Sequence, residues 1–127
     1  MHVTAENLRV QVIRPTLEYL HAWNLDTEQF LLDAAIDSPE LGLFSVSKDG
    51  LGIFNITSDQ HRDIWDNYLA LDPDKASLIR GLASQRQFLS DPDAELKTNL
   101  SYCTAIAWLL YQRSNISVSG PQHAVGA

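Results

Sequence analysis

The sequence predicts one small α+β domain dominated by helices, and three observations carry that prediction. Apolar residues recur at spacings of three and four through most of the chain. That rhythm gives way once, between Leu43 and Ile56, to two short apolar runs around a turn signal. Finally, 127 residues with 45% hydrophobic content are enough for one core. A domain of this size buries roughly two-thirds of its unfolded surface, so it needs neither a disulfide nor a structural metal. Cys103 is the only cysteine, and its neighbours Leu100, Ala105 and Ala107 predict a packed thiol rather than a reactive one.

Taken in order, Thr4 caps a first helix in which Leu8, Val12, Ile13, Leu17 and Leu20 mark an apolar stripe, broken or restarted at Pro15. Asp26 or Thr27 caps a second helix through about Ser38, with Phe30, Leu31, Ala34 and Ala35 inward and Pro39 at its end. The runs Leu43-Phe44-Ser45-Val46 and Leu51-Gly52-Ile53-Phe54 flank Lys48-Asp49-Gly50, the pattern of a small hairpin. Ser58 caps a third helix carrying Ile64, Trp65, Tyr68 and Leu69, and Asp72-Pro73 separates it from another with Leu78, Ile79 and Leu82. Asp91-Pro92 opens a last long helix to about Arg113, with Leu100, Cys103, Ala107 and Leu110 on one face. The aromatic stripes Trp65/Tyr68 and Trp108/Tyr111 have core spacing. Residues 1–113 are thus the domain, and 114–127 a polar tail whose composition cannot supply a core of its own.

The net charge of −7 and a scattered distribution of Lys and Arg argue against a nucleic-acid partner. The start of the chain lacks a signal-peptide pattern and no apolar run approaches a bilayer span, so no membrane association is expected. The sequons at Asn55, Asn99 and Asn115 are read as chance matches. No cofactor is implied, and His61 has no second ligand at metal spacing, so polar packing on a helix surface is expected of it.

Three segments then line up. Ala34-Ala35-Ile36-Asp37-Ser38 ends the second helix, and Gly52-Ile53-Phe54-Asn55-Ile56 begins fifteen residues after Asp37. His61-Arg62-Asp63-Ile64-Trp65-Asp66-Asn67-Tyr68-Leu69 follows, with Asn99-Leu100-Ser101-Tyr102 later. In order and spacing they resemble the lysozyme-like lytic transglycosylases, and within them a phage-encoded group carrying A-x-E-S, G-I-F-Q and H-x-D-I-W-x-N-Y-L. The resemblance spans about Arg14 to Arg113 and implies a lysozyme-like fold. It also implies action on, or binding of, the peptidoglycan glycan strand, in a virion or in the host cytoplasm, with other virion proteins as partners for the tail.

Two departures bear on activity. The family's catalytic Glu is Asp37 here and its Gln is Asn55, each one methylene shorter. A lytic transglycosylase needs a single carboxyl that first protonates the glycosidic oxygen and then accepts a proton from the sugar hydroxyl that closes the anhydro ring. Asp37 is the position-matched candidate, and Glu40, just past Pro39, offers a second carboxylate in the wrong register. The resemblance makes Asn55, Phe54 and Tyr102 the substrate-binding candidates. Three outcomes stay open: an active transglycosylase, a lysozyme-fold virion module that has lost catalysis, or an unrelated helical adaptor whose motif similarity is accidental.

Overall fold

The computed structural model describes residues 5–41 and 50–126, with the side chains at 36–41, 85–87 and 114–126 outside that description. The chain runs α1 (Ala5–Leu8), a π-helical turn (Arg9–Ile13), α2 (Arg14–Tyr19), α3 (Leu25–Leu41), α4 (Ser58–Asn67) and a 3-10 turn (Leu69–Leu71). Four helices follow: α5 (Pro73–Arg80), α6 (Gln85–Ser90), α7 (Pro92–Thr98) and α8 (Leu100–Gly126). The mainly helical class is as the sequence predicts.

α8 is the axis of the structure. Every residue from Tyr102 to Leu109 is buried, which only a helix enclosed on all sides can manage. α2, α3, α4, α5, α7 and the π turn all pack against it. Leu17, Leu31, Ile64, Ile79, Leu96 and Ile106 fill the space between.

At Pro15 the first helix restarts rather than ends. A proline has no N–H, and its ring crowds the carbonyl four residues back. The chain answers by widening the preceding turn: Arg14 N–H reaches the carbonyl of Arg9 in a five-residue step, and Pro15 sits in the first turn of α2, where its missing donor costs nothing. Pro39 likewise fails to end its helix, which runs on to Leu41. Near a C-terminus it removes a single donor while the neighbouring bonds stand.

The region expected as a hairpin is different. Its first run, 43–46, and the turn signal Lys48-Asp49 lie outside the described residues. The second run is not a strand: Leu51 pairs antiparallel with Ile56 in an isolated bridge, and residues 52–55 form the turn between them. Leu51 N donates to Ile56 O at 2.8 Å and Ile56 N returns a bond to Leu51 O at 3.1 Å. Gly52 takes φ +73° and Asn55 φ +54°, the left-handed values such a tight reversal demands. This choice drives Phe54 and Ile56 completely into the core.

Three boundaries differ from expectation by small chemistry. α3 starts at Leu25, with Asn24 rather than Asp26 or Thr27 as its cap, its Oδ1 accepting from Thr27 N at 2.8 Å. Thr57, not Ser58, caps α4: its hydroxyl accepts from Gln60 N while the Gln60 side chain accepts from Thr57 N, a reciprocal capping box. The expected last helix is two, because Asn99 turns extended between α7 and α8. Its Oδ1 accepts from Tyr102 N at 3.0 Å and its Nδ2 donates to Leu82 O at 2.8 Å, so one amide starts α8 and fastens it to the chain after α5. Beyond Arg113 the backbone continues in α8 as far as Gly126.

Gly52 is the tightest point. A Cβ there would lie 2.1 Å from the Leu96 carbonyl oxygen and 2.9 Å from Cys103 Sγ, on a backbone that L-residues resist. Gly52→Ala is expected to lower the unfolding free energy by roughly 2–4 kcal/mol in urea denaturation. Thr57→Ala, which removes only the cap, is expected to lower it by about 1 kcal/mol.

Candidate functional site

The capping box sets the rotation of α4. Ser58, His61, Arg62, Trp65 and Asp66 then recur at three and four residues and share one face. α6 brings Phe88 and the start of α7 brings Pro92 and Asp93 against that face, enclosing a cleft of about 320 Å³. The Trp65 and Phe88 rings meet edge to face at 5.4 Å, and the Arg80 guanidinium covers Phe88 at 4.2 Å.

Behind the cleft runs a chain of hydrogen bonds. Ser58 Oγ donates to Asp93 Oδ2 at 2.6 Å, and the other carboxylate oxygen lies 2.9 Å from His61 Nδ1. His61 Nε2 lies 2.6 Å from the Tyr102 hydroxyl, which also accepts from Trp65 Nε1 at 2.9 Å. A carboxylate can only accept, so the proton belongs on Nδ1; Nε2 then accepts the Tyr102 O–H. Each member is used, and three helices are tied through side chains far apart in sequence.

The charges follow from burial. His61 is 2% exposed, and loss of water pushes its pKa below the ordinary imidazole value against the pull of Asp93. Partial burial opposes ionisation of Asp93, but the bonds from Ser58 and His61 together outweigh it and hold the carboxyl below its usual range. Burial raises the Tyr102 phenol well above its normal value, so it remains protonated. At neutral pH the wall is a neutral imidazole, a phenol and a fixed carboxylate.

A second carboxylate is deeper still. Glu28 is 1% exposed and accepts a two-pronged bond from Arg14, at 2.7 and 3.0 Å, and a third from Trp23 Nε1 at 2.7 Å. The Arg14 bond leads in holding its pKa low. Asp63 is also lowered, chiefly by Asn67 and with help from Arg113. Among the described residues, then, every carboxylate whose pKa is clearly displaced is displaced downward, the reverse of what a general acid requires.

The sequence-derived candidates fall on three parts of the chain: α3, the turn after Leu51, and α8. Asp37 and Glu40 both lie on α3, three residues apart, with side chains outside the description. Glu40 is therefore helical rather than on a folded-back loop. Asn55 is half-buried, and its amide oxygen lies against Gly50, where an added Cβ would be 1.5 Å away. Phe54 and Tyr102 are fully buried, the first in the core and the second behind the cleft wall. His61, expected on a helix surface, is instead the buried hub.

Sequence reasoning missed Asp93 as the partner of His61, Ser58 as a donor to Asp93 and Phe88 as a wall of the cleft; the separations from His61 of 32 residues for Asp93 and 41 for Tyr102 leave no periodic trace. Cys103 is the packed thiol expected, with burial pushing it up to about 11. Among the described residues no group of three His, Cys, Asp or Glu could hold a metal ion, and no helix is long and apolar enough to cross a membrane.

Compared with protein-family models, curated proteins and solved structures, the chain matches none of them.

The network gives the stability a pH signature. Because the folded pKa of His61 lies below its unfolded value, the native state binds fewer protons; its contribution is complete above about pH 6.5 and is lost as pH falls through the folded value. Urea midpoints are expected to fall on acidification from pH 7 to pH 5, and His61→Gln is expected to flatten that slope. Tyr102→Phe strands His61 Nε2 and Trp65 Nε1 without partners and is expected to cost about 1–3 kcal/mol at pH 7.

Proposed function

We propose that this chain is a lysozyme-like protein of the phage-encoded, virion-associated kind that binds the peptidoglycan glycan strand, with cleavage weak or lost. One observation carries the proposal. The segment with the most detailed motif resemblance, His61 to Leu69, supplies four residues of the cleft: His61, Arg62, Trp65 and Asp66. The cleft chemistry suits a saccharide. A pyranose offers an apolar C–H face to aromatic rings such as Trp65 and Phe88, and its hydroxyls donate to carboxylates such as Asp66 and Asp93.

Binding without efficient cleavage is favoured by two facts. Asp37 is one methylene shorter than the family's acid, and a displacement on that scale costs about a hundredfold in rate. The displaced carboxylates beside the described cleft and core are all held ionised, so none is poised to give up a proton. The alternative, an active lytic transglycosylase, keeps one observation in its favour: Asp37 stands on α3 fifteen residues before the Gly52 turn, and a single carboxyl is enough for that chemistry. The extension of α8 over 114–126 is assigned to contact with other virion proteins, since its composition is unsuited to a core.

Sedimentation with purified peptidoglycan tests the proposal. Wild type is expected to cosediment, and Arg62→Ala with Asp66→Ala, both at exposed positions, to weaken binding about tenfold while circular dichroism stays unchanged. Folded wild type that remains in the supernatant would overturn it. Release of anhydro-muropeptides, abolished by Asp37→Ala and untouched by Glu40→Ala, would establish the enzyme instead.

A further inference from the structure

A second pocket lies on another side of α8. It has a volume of about 220 Å³ and is lined by Leu20, Asp72, Asp74, Lys75, Leu78 and Trp108. Trp108 is 5% exposed, and its Nε1 is a buried donor with no hydrogen-bond partner among the described residues. An unmet buried N–H is costly, so an acceptor entering this pocket gains more than one meeting a solvated donor.

The remaining walls restrict what that acceptor is. Lys75 Nζ is held over the Tyr68 and Trp108 rings, at 5.3 and 5.5 Å, and 3.9 Å from Asp72 Oδ2. Two carboxylates against one ammonium leave the pocket net negative and disfavour an anion. Leu20 and Leu78 supply apolar surface that suits a methyl-sized group better than a hydrated ion. Asp72 is half-buried and Asp74 exposed, whereas the unmet donor is buried. The matching ligand carries a neutral acceptor at one end, a donor at the other and a small apolar group.

We propose that this pocket binds a carboxamide group, its carbonyl accepting from Trp108 Nε1 and its N–H donating to Asp72 or Asp74, with the alkyl part on Leu20 and Leu78. The proposal stands independently of glycan binding in the other cleft. Two kinds of molecule present such a group, an N-acetylated sugar and a peptide.

The three indole N–H signals of Trp23, Trp65 and Trp108 provide the test in proton–nitrogen correlation spectra of the 15N-labelled full chain. Trp23→Phe and Trp65→Phe assign the Trp108 signal by elimination, so no variant need touch the buried ring. N-acetylglucosamine, N-acetylalanine amide, glucose and acetate are titrated in turn. The Trp108 signal is expected to move saturably with at least one of the two amides and with neither glucose nor acetate. Response to the sugar alone assigns an acetamido sugar, and response to the peptide alone assigns a peptide. Leu78→Phe, which fills the pocket from a half-buried position, is expected to weaken the response about tenfold or more. No movement with either amide overturns the proposal, as does equal movement with glucose or acetate. The Trp65 signal reports the other cleft in the same spectra, so failure there and failure here are read separately.

Discussion

The Tyr102 hydroxyl is the point on which the arrangement hangs. It is buried completely, so both of its hydrogen-bonding capacities must be met from within the protein. Donating to His61 and accepting from Trp65 meets them, and in doing so fixes α4 against α8. His61 then requires an acceptor for Nδ1, and Asp93 at the start of α7 provides it. Asp93 in turn draws in the Ser58 hydroxyl from the first turn of α4. Three helices are thereby held by a closed account of donors and acceptors, and the cleft is the space left in front of it.

The same logic operates at the other end of the molecule. Glu28 is nearly inaccessible, and an unpaired carboxylate there would be prohibitive. The planar fork of Arg14, aided by Trp23 and with Arg9 4.0 Å away, makes it tolerable and binds the start of α3 to α2. Such a carboxylate is a structural fastener. Three good donors stabilise the ionised form so strongly that it cannot serve as a proton source, and depth of burial alone would have suggested the opposite role.

What the sequence reveals divides by range. Period and caps gave most helices, because these signals lie within four residues: the α5 start at Asp72-Pro73 and the stripe Leu8, Ile13, Leu17 are read directly. Proline misled once, at Pro39, where no helix end follows. Its effect depends on whether the chain widens into a π turn, as at Arg9–Ile13, or simply forgoes one bond, as at Pro39, and neither is encoded in the proline itself. Leu51 to Phe54 has strand composition, yet the left-handed Gly52 and Asn55 make it a turn. The reason is tertiary, since Gly52 must pass against Leu96 and Cys103, from distant helices. Trp65 was legible as a mainly apolar helix-face residue, but its bond to Tyr102 was not. Asp93 had no signal beyond being one more acid near a helix start.

The cleft wall is better suited to holding a ligand than to moving protons. Both His61 nitrogens are occupied, Tyr102 is kept protonated by burial, and Asp93 is kept ionised by two donors. A group that shuttles a proton must be stable in two charge states at nearly equal cost, and every contact here favours one state. A fixed pattern of charge has a different use. It presents a permanent acceptor, Asp93, beside two aromatic faces, without reorganisation when a hydroxylated partner arrives. Rigidity that would hinder an acid–base catalyst therefore favours recognition.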